Sequence, residues 1–166
     1  HTDMAKGLGQ QDICNIALAA VMHDVGKIAI SDAILNKPGR LTAEEYEIMK
    51  THTVQGAHLL ERIPQLRENG AYHYACDIAR HHHERWDGRG YPDGLKGDEI
   101  SVGAQVVSLA DVYDALSSKR VYKDAFSRER VVEMIRSGEC GVFSPRLLEC
   151  FFSIEDELAQ LYRKER

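Results

Sequence analysis

His82-His83-Glu84-Arg85-Trp86-Asp87-Gly88-Arg89-Gly90-Tyr91-Pro92 is the stretch on which the reading of this chain turns. Two adjacent imidazoles end a helical run and open directly into a glycine-rich loop. On a helix, neighbouring side chains diverge by about 100°, so His81, His82 and His83 cannot all enter one site. Two adjacent ones can each reach a different ion of a close pair, and spacing alone does not choose which two. Upstream stands His23-Asp24, at the polar end of an apolar helical segment. Downstream, Asp111 is a lone charge in the apolar run Val106-Val107-Ser108-Leu109-Ala110-Asp111-Val112-Tyr113. A carboxylate buried there needs a cationic partner, because burying it unpaired is costly. A metal ion is the natural candidate. His and Asp donors without a thiol suit Fe or Mn better than a structural zinc site.

Working outward, Lys27 follows His23 by four residues, so on a continuing helix both project to one side. Imidazole, carboxylate and ammonium together fit metal ligation with a phosphate contact; a solvated helix end is the plainer alternative. His52 opens His52-Thr53-Val54-Gln55-Gly56 and by itself reads as an ordinary helix-start histidine. Asp114, one turn after Asp111, is a second carboxylate on nearly the same face, read as a supporting or capping residue.

The chain reads as helices joined by short loops, with no sustained period-2 alternation. Asp12 to Met22 carries Ile13, Ile16, Ala17, Ala20 and Val21 at helical spacing. Thr42-Ala43-Glu44-Glu45 is a capping box that starts a helix running through Met49. Helical patterns also cover about Val54 to Ile63, Ala71 to His82 and Ser101 to Leu116. Ser127 caps Arg128 to Arg136, and Ser144-Pro145 opens the last helical region. Trp86 to Glu99 is a long structured loop with Trp86, Tyr91 and Leu95 to bury; such loops are often functional. These patterns predict one all-α domain spanning residues 1–166.

The bulk numbers agree. A chain of 166 residues, 43% hydrophobic, can bury a proper core. A net charge of -5 argues against DNA as a partner while leaving room for a small phosphate ligand. Cys14, Cys76, Cys140 and Cys150 are scattered, without a C-x-x-C pair, and read as buried free thiols in a reducing cytoplasm. No apolar run approaches the ~18 residues of a membrane span. The chain starts at His1 rather than Met, so the domain is expected to be truncated at its N-terminus.

Taken in order, His23-Asp24-Val25-Gly26-Lys27, His52, His82-His83-Glu84 with Asp87-Gly88-Arg89-Gly90-Tyr91-Pro92, and Asp111 resemble the HD-GYP domain from about Leu8 to Phe152. This is a branch of the HD-domain metal phosphohydrolases that acts on cyclic di-GMP in bacterial second-messenger signalling. The resemblance implies a compact helical bundle with a structured GYP loop. It implies that His23, Asp24, His52, His82, His83 and Asp111 hold two divalent ions, with Asp24 bridging them. It implies that Lys27 contacts the scissile phosphate, and that Arg120 and Lys123 hold the cyclic dinucleotide; unaided, that last pair reads as a solvated helix end. Members with a third metal draw Glu and His ligands from a helix further upstream. Only residues 1–22 precede His23, so a third ion is not expected.

The implied reaction is hydrolysis of a 3',5'-phosphodiester of cyclic di-GMP to linear pGpG, with GMP as the alternative end product. Lys27 would stabilise charge on the phosphoryl oxygens, and Arg120 and Lys123 would orient the phosphates. Two other readings stand beside it: a catalytically weak cyclic-dinucleotide receptor or interaction module, marked by lost ligands, and a hydrolase of another cyclic dinucleotide such as cyclic GMP-AMP. All six ligand positions are filled here. Asp87, Gly90, Tyr91 and Pro92 form either a loop packed beside the site or a docking surface for a diguanylate cyclase domain.

Overall fold

A computed structural model of the chain describes residues 7–118 and 126–164, the last four as backbone only. The first helix, α1 (Gln10–Ala20), is followed by a 3-10 turn over Val25–Ala29. A short α2 (Asp32–Leu35), α3 (Ala43–Lys50) and α4 (His52–Glu61) come next. Beyond them lie α5 (Tyr72–His81), α6 (Val102–Ser117), α7 (Arg128–Ser137) and α8 (Pro145–Lys164). Among the described residues there is no strand, only an isolated antiparallel bridge between Asp87 and Lys96. The fold is all-α, as the patterning predicts.

Several helix starts are written in the sequence. Thr42 Oγ1 accepts from the Glu45 amide while the Glu45 carboxylate accepts from the Thr42 amide, the reciprocal capping box. Ser101 and Ser127 cap α6 and α7 with a single side-chain bond each, accepting from the amides of Ala104 and Arg130. α2 had no counterpart in the pattern, since four residues are too few to show a period. α4 starts at His52, earlier than the apolar spacing suggests.

Two apolar clusters hold the bundle. Ala19 of α1, Leu60 of α4, Ala75, Ile78 and Ala79 of α5 and Val107 of α6 form one. Leu109 and Tyr113 of α6, Val131 and Ile135 of α7, and Phe143, Leu147 and Phe151 form the other. Helix α6 serves both, so one rigid rod carries Asp111 past the end of α5.

The expected continuous helix through His23 is a correction. α1 stops at Ala20, and the chain tightens into the 3-10 turn that begins after Asp24. The reason is a close approach at Gly26. A Cβ there would lie 1.9 Å from the His52 carbonyl oxygen and 2.4 Å from the Gly56 nitrogen. Only glycine lets this turn lie directly on α4, and an α-helix continued past Met22 would not bend onto it. That contact sets Asp24 against His52.

Candidate metal centre

Four segments converge on one point. His23 and Asp24 sit in the turn after α1, His52 opens α4, His82 and His83 directly follow α5, and Asp111 lies within α6. Asp24 is the hub. Its Oδ1 lies 3.5 Å from His52 Nε2 and 3.9 Å from His82 Nε2, and its Oδ2 lies 3.4 Å from His23 Nε2. His23 Nε2 is in turn 3.9 Å from Asp111 Oδ1. Donor atoms of His52, His82 and His83 fall within 4.8 Å of one another, as do those of His23, Asp24 and His82. Asp24 presents one oxygen to each side.

The backbone sets the tautomers. Nδ1–H of His23 donates to Ala20 O at 2.7 Å, that of His52 to Met49 O at 2.7 Å, and that of His82 to Ile78 O at 2.9 Å. A carbonyl only accepts, so Nδ1 carries the proton and, in the neutral ring, Nε2 keeps its lone pair. All three Nε2 atoms are buried without a hydrogen-bond partner, and so is Asp24 Oδ1. Each such atom costs about 1–3 kcal/mol, so four together approach the whole stability of a domain. Lone pairs aimed at one another across 3.5–3.9 Å repel; a cation between them turns the penalty into ligation. The residues present therefore fit divalent metal ions.

The protonation pattern agrees. Burial, with the charge of His23, pushes His82 down to about 4, and burial with the neighbouring histidines pushes His83 down to about 2. Burial also lowers His52. Burial raises the Asp24 carboxyl, yet its contact with His23 and the hydrogen bond and charge of Lys27 outweigh it and hold Asp24 far below the usual carboxylate range. His23 differs: its contact with Asp24 raises it, so a proton competes there.

Lys27 Nζ donates to Asp24 Oδ2 at 2.5 Å, from the 3-10 turn rather than from an α-helix. Asp111 is a second correction: its side chain is 29% exposed, not deeply buried, and faces His23. Asp114 is exposed and its carboxylate accepts from the Ser118 hydroxyl at the end of α6. Arg120 and Lys123 lie outside the described residues.

His81 points the other way. Its two ring nitrogens lie 2.7 Å from Asp77 Oδ1 and 2.9 Å from Asp93 Oδ2, and Arg80 holds Asp93 with two hydrogen bonds. Ser101 donates to Asp77. Burial lowers His81, but the two carboxylates overcome it and leave the ring raised. The structure thus gathers donor atoms of His82 and His83 with that of His52, and turns His81 to the two carboxylates instead.

The GYP loop is fastened to the same end of α5. Buried Glu84 accepts from the amides of Asp93 and Gly94 at 2.7 and 3.0 Å. Asp87 accepts from the Arg89 amide, and a Cβ on Gly90 would strike the Glu84 and Arg85 backbone at 2.4 Å. The Tyr91 ring lies on His83, centroids 4.9 Å apart, its amide donates to His83 O, and Tyr91–Pro92 is a cis peptide. Arg85 donates to Ser108 Oγ on α6 at 2.8 Å. Glu84 and Arg85 had no assigned role in the sequence; a buried acid directly after two ligand-type histidines was the available signal.

The family model of the HD domain matches residues 3–143, and the chain belongs to this family. Its His-His-Glu and Gly-Tyr-Pro motifs and its relatives set it in the HD-GYP branch. It is 42% identical over 160 residues to a cyclic di-GMP phosphodiesterase of Thermotoga maritima, covering 96% of this chain and 42% of that one. It is 39% identical over 155 residues to the cyclic di-GMP phosphodiesterase response regulator RpfG of Xanthomonas campestris, covering 93% and 40%. It is 40% identical over 151 residues to the 3'3'-cGAMP-specific phosphodiesterase 2 of Vibrio cholerae, covering 91% and 28%. The chain spans less than half the length of these relatives. The fold matches a crystal structure of a cyclic GMP-AMP specific phosphodiesterase of V. cholerae at a TM-score of 0.61 and 16% identity, over 92% of this chain and 40% of that one.

Proposed function

We propose that this chain is a single HD-GYP domain that hydrolyses cyclic di-GMP to linear pGpG in bacterial second-messenger signalling. The observation that carries it is the convergence of buried, unpartnered Nε2 atoms of His23, His52 and His82 on the Asp24 carboxylate, His23 toward Oδ2 and the other two toward Oδ1. His23, Asp24, His52, His82, His83 and Asp111 would hold two divalent ions, Fe or Mn by the donor set. When bound, such ions supply an activated water and positive charge for the phosphoryl oxygens.

The chain's own groups do the rest. Asp24 keeps its charge down to low pH and ties the two halves of the donor set together. Lys27 is half-exposed and tethered to Asp24, so its ammonium can turn to a non-bridging phosphate oxygen. Arg120 and Lys123 orient the phosphates from the segment after α6.

Relatives named for 3'3'-cGAMP support cyclic GMP-AMP as a second substrate reading. In the GYP loop, Tyr91 is committed to His83. The loop's outer side, where the Arg89 side chain is 88% exposed, is our candidate for docking a diguanylate cyclase domain. Among the described residues no helix is long and apolar enough to cross a membrane.

The test is turnover of cyclic di-GMP and cyclic GMP-AMP by protein loaded with Mn(II) or Fe(II), with products identified by mass. Linear pGpG supports the reading. Faster turnover of cyclic GMP-AMP moves the substrate, and binding of either nucleotide without turnover makes the domain a receptor.

A further inference from the structure

We infer that Tyr46 is a stacking platform for a purine base of the substrate. The inference rests on the phosphodiesterase reading and adds a substrate contact to the same site. Tyr46 lies on α3 and is 49% exposed, a large ring left half in water. It is not isolated. Its ring meets Tyr91 edge-to-face, centroids 6.5 Å apart at 81°, and Tyr91 in turn lies on His83 at 4.9 Å. A run of rings thus leads from the metal centre outward: His83, Tyr91, Tyr46. A purine sits one sugar ring away from its phosphate, and Tyr46 sits one ring, Tyr91, away from His83. With the scissile phosphate at the centre, a base of the cyclic dinucleotide falls beside Tyr46.

The ring is also held in place. Lys50, one turn along α3, has its Nζ 5.7 Å from the Tyr46 centroid and 5.6 Å from that of Tyr91, within cation–π range of both. Glu47 anchors that ammonium at 2.7 Å. Tyr91 braces the Tyr46 ring and leaves about half of its surface to solvent. An aromatic side chain fixed at the mouth of a phosphate site is how proteins hold a base without reading its edge.

The experiment compares wild type, Tyr46→Ala and Tyr46→Phe, measuring metal content and the KM and kcat for cyclic di-GMP. Loss of a stacked base should raise KM about tenfold or more in Tyr46→Ala, at full metal content. Tyr46→Phe keeps the face of the ring and should keep the wild-type KM. An unchanged KM in Tyr46→Ala overturns the platform. Loss of metal in Tyr46→Ala also overturns it, because Tyr46 would then be a prop for Tyr91 and His83. A wild type that binds metal but turns over no cyclic dinucleotide defeats the phosphodiesterase reading itself, and the platform with it.

Discussion

Two clusters of histidine and carboxylate stand back to back at the end of α5, and they are wired in opposite ways. On one side, His81 gives both ring nitrogens to Asp77 and Asp93, and Arg80 and Ser101 complete the set. Every polar group named there has a partner. On the other side, His23, His52 and His82 use one nitrogen each on a backbone carbonyl and leave the other unpartnered toward Asp24. The same residue types, one position apart in sequence, give a clasp in one case and an unsatisfied pocket in the other. The lesson is that ligand character lies in the second nitrogen. A histidine with both nitrogens satisfied stabilises the fold, whereas one held by Nδ1 with Nε2 buried and unpaired is poised for an ion.

The largest expected effect breaks this contrast directly. His82→Ala should drop bound metal and bring activity to the level of metal-free protein. His81→Gln should keep metal and lose about 1–3 kcal/mol of stability through the clasp. Metal analysis and thermal melts of both variants check this, and similar metal loss in the two would erase the distinction.

Lys27→Ala comes next. Metal content should hold while kcat falls roughly 10²-fold, the size of one lost charge contact to the transition state. If metal leaves with the lysine, its ion pair with Asp24 is structural instead.

Arg120→Ala and Lys123→Ala should each weaken cyclic di-GMP binding by about 1.5–3 kcal/mol with metal retained. Activity on bis-p-nitrophenyl phosphate, which needs little beyond the centre, should change much less. Equal losses on both substrates would move these residues into the catalytic core.

The smallest effect concerns the clasp. Hydrogen bonds from Arg80 and His81 hold Asp93 down to about 2, below its ordinary value of 3.8. A depressed carboxylate adds stability above its ordinary value and loses it as pH falls through the folded one. Asp93→Asn should therefore melt lower than wild type near neutrality, by about 1 kcal/mol or less for a pair this exposed. The gap should close as the pH drops from about 4 to about 2. A gap independent of pH would show that the carboxylate charge is not what holds the loop.

Much of this was legible in the chain. Thr42, Ser101 and Ser127 announce their helices because a cap is a local hydrogen bond, read within four residues. The ligand-type residues stand out because charge in apolar helices needs an explanation. Spacing alone left His81, His82 and His83 undecided, since the orientation of His81 depends on Asp93, twelve residues away on a loop whose path is set by Glu84 and Gly90. The break in the helix before His23 was also hidden. It follows from Gly26 lying on α4, a contact between segments that no periodicity encodes. Asp111 looked buried because its neighbours in sequence are apolar, although its own side of α6 opens on the site.

The most direct test of the contrast is anomalous diffraction from crystals of the Mn(II)-loaded protein. Two peaks ~3.5–4 Å apart should appear among His23, Asp24, His52, His82, His83 and Asp111, with none at His81, Asp77 and Asp93. Absence of density beside Asp24, or a peak in the clasp, would contradict the account.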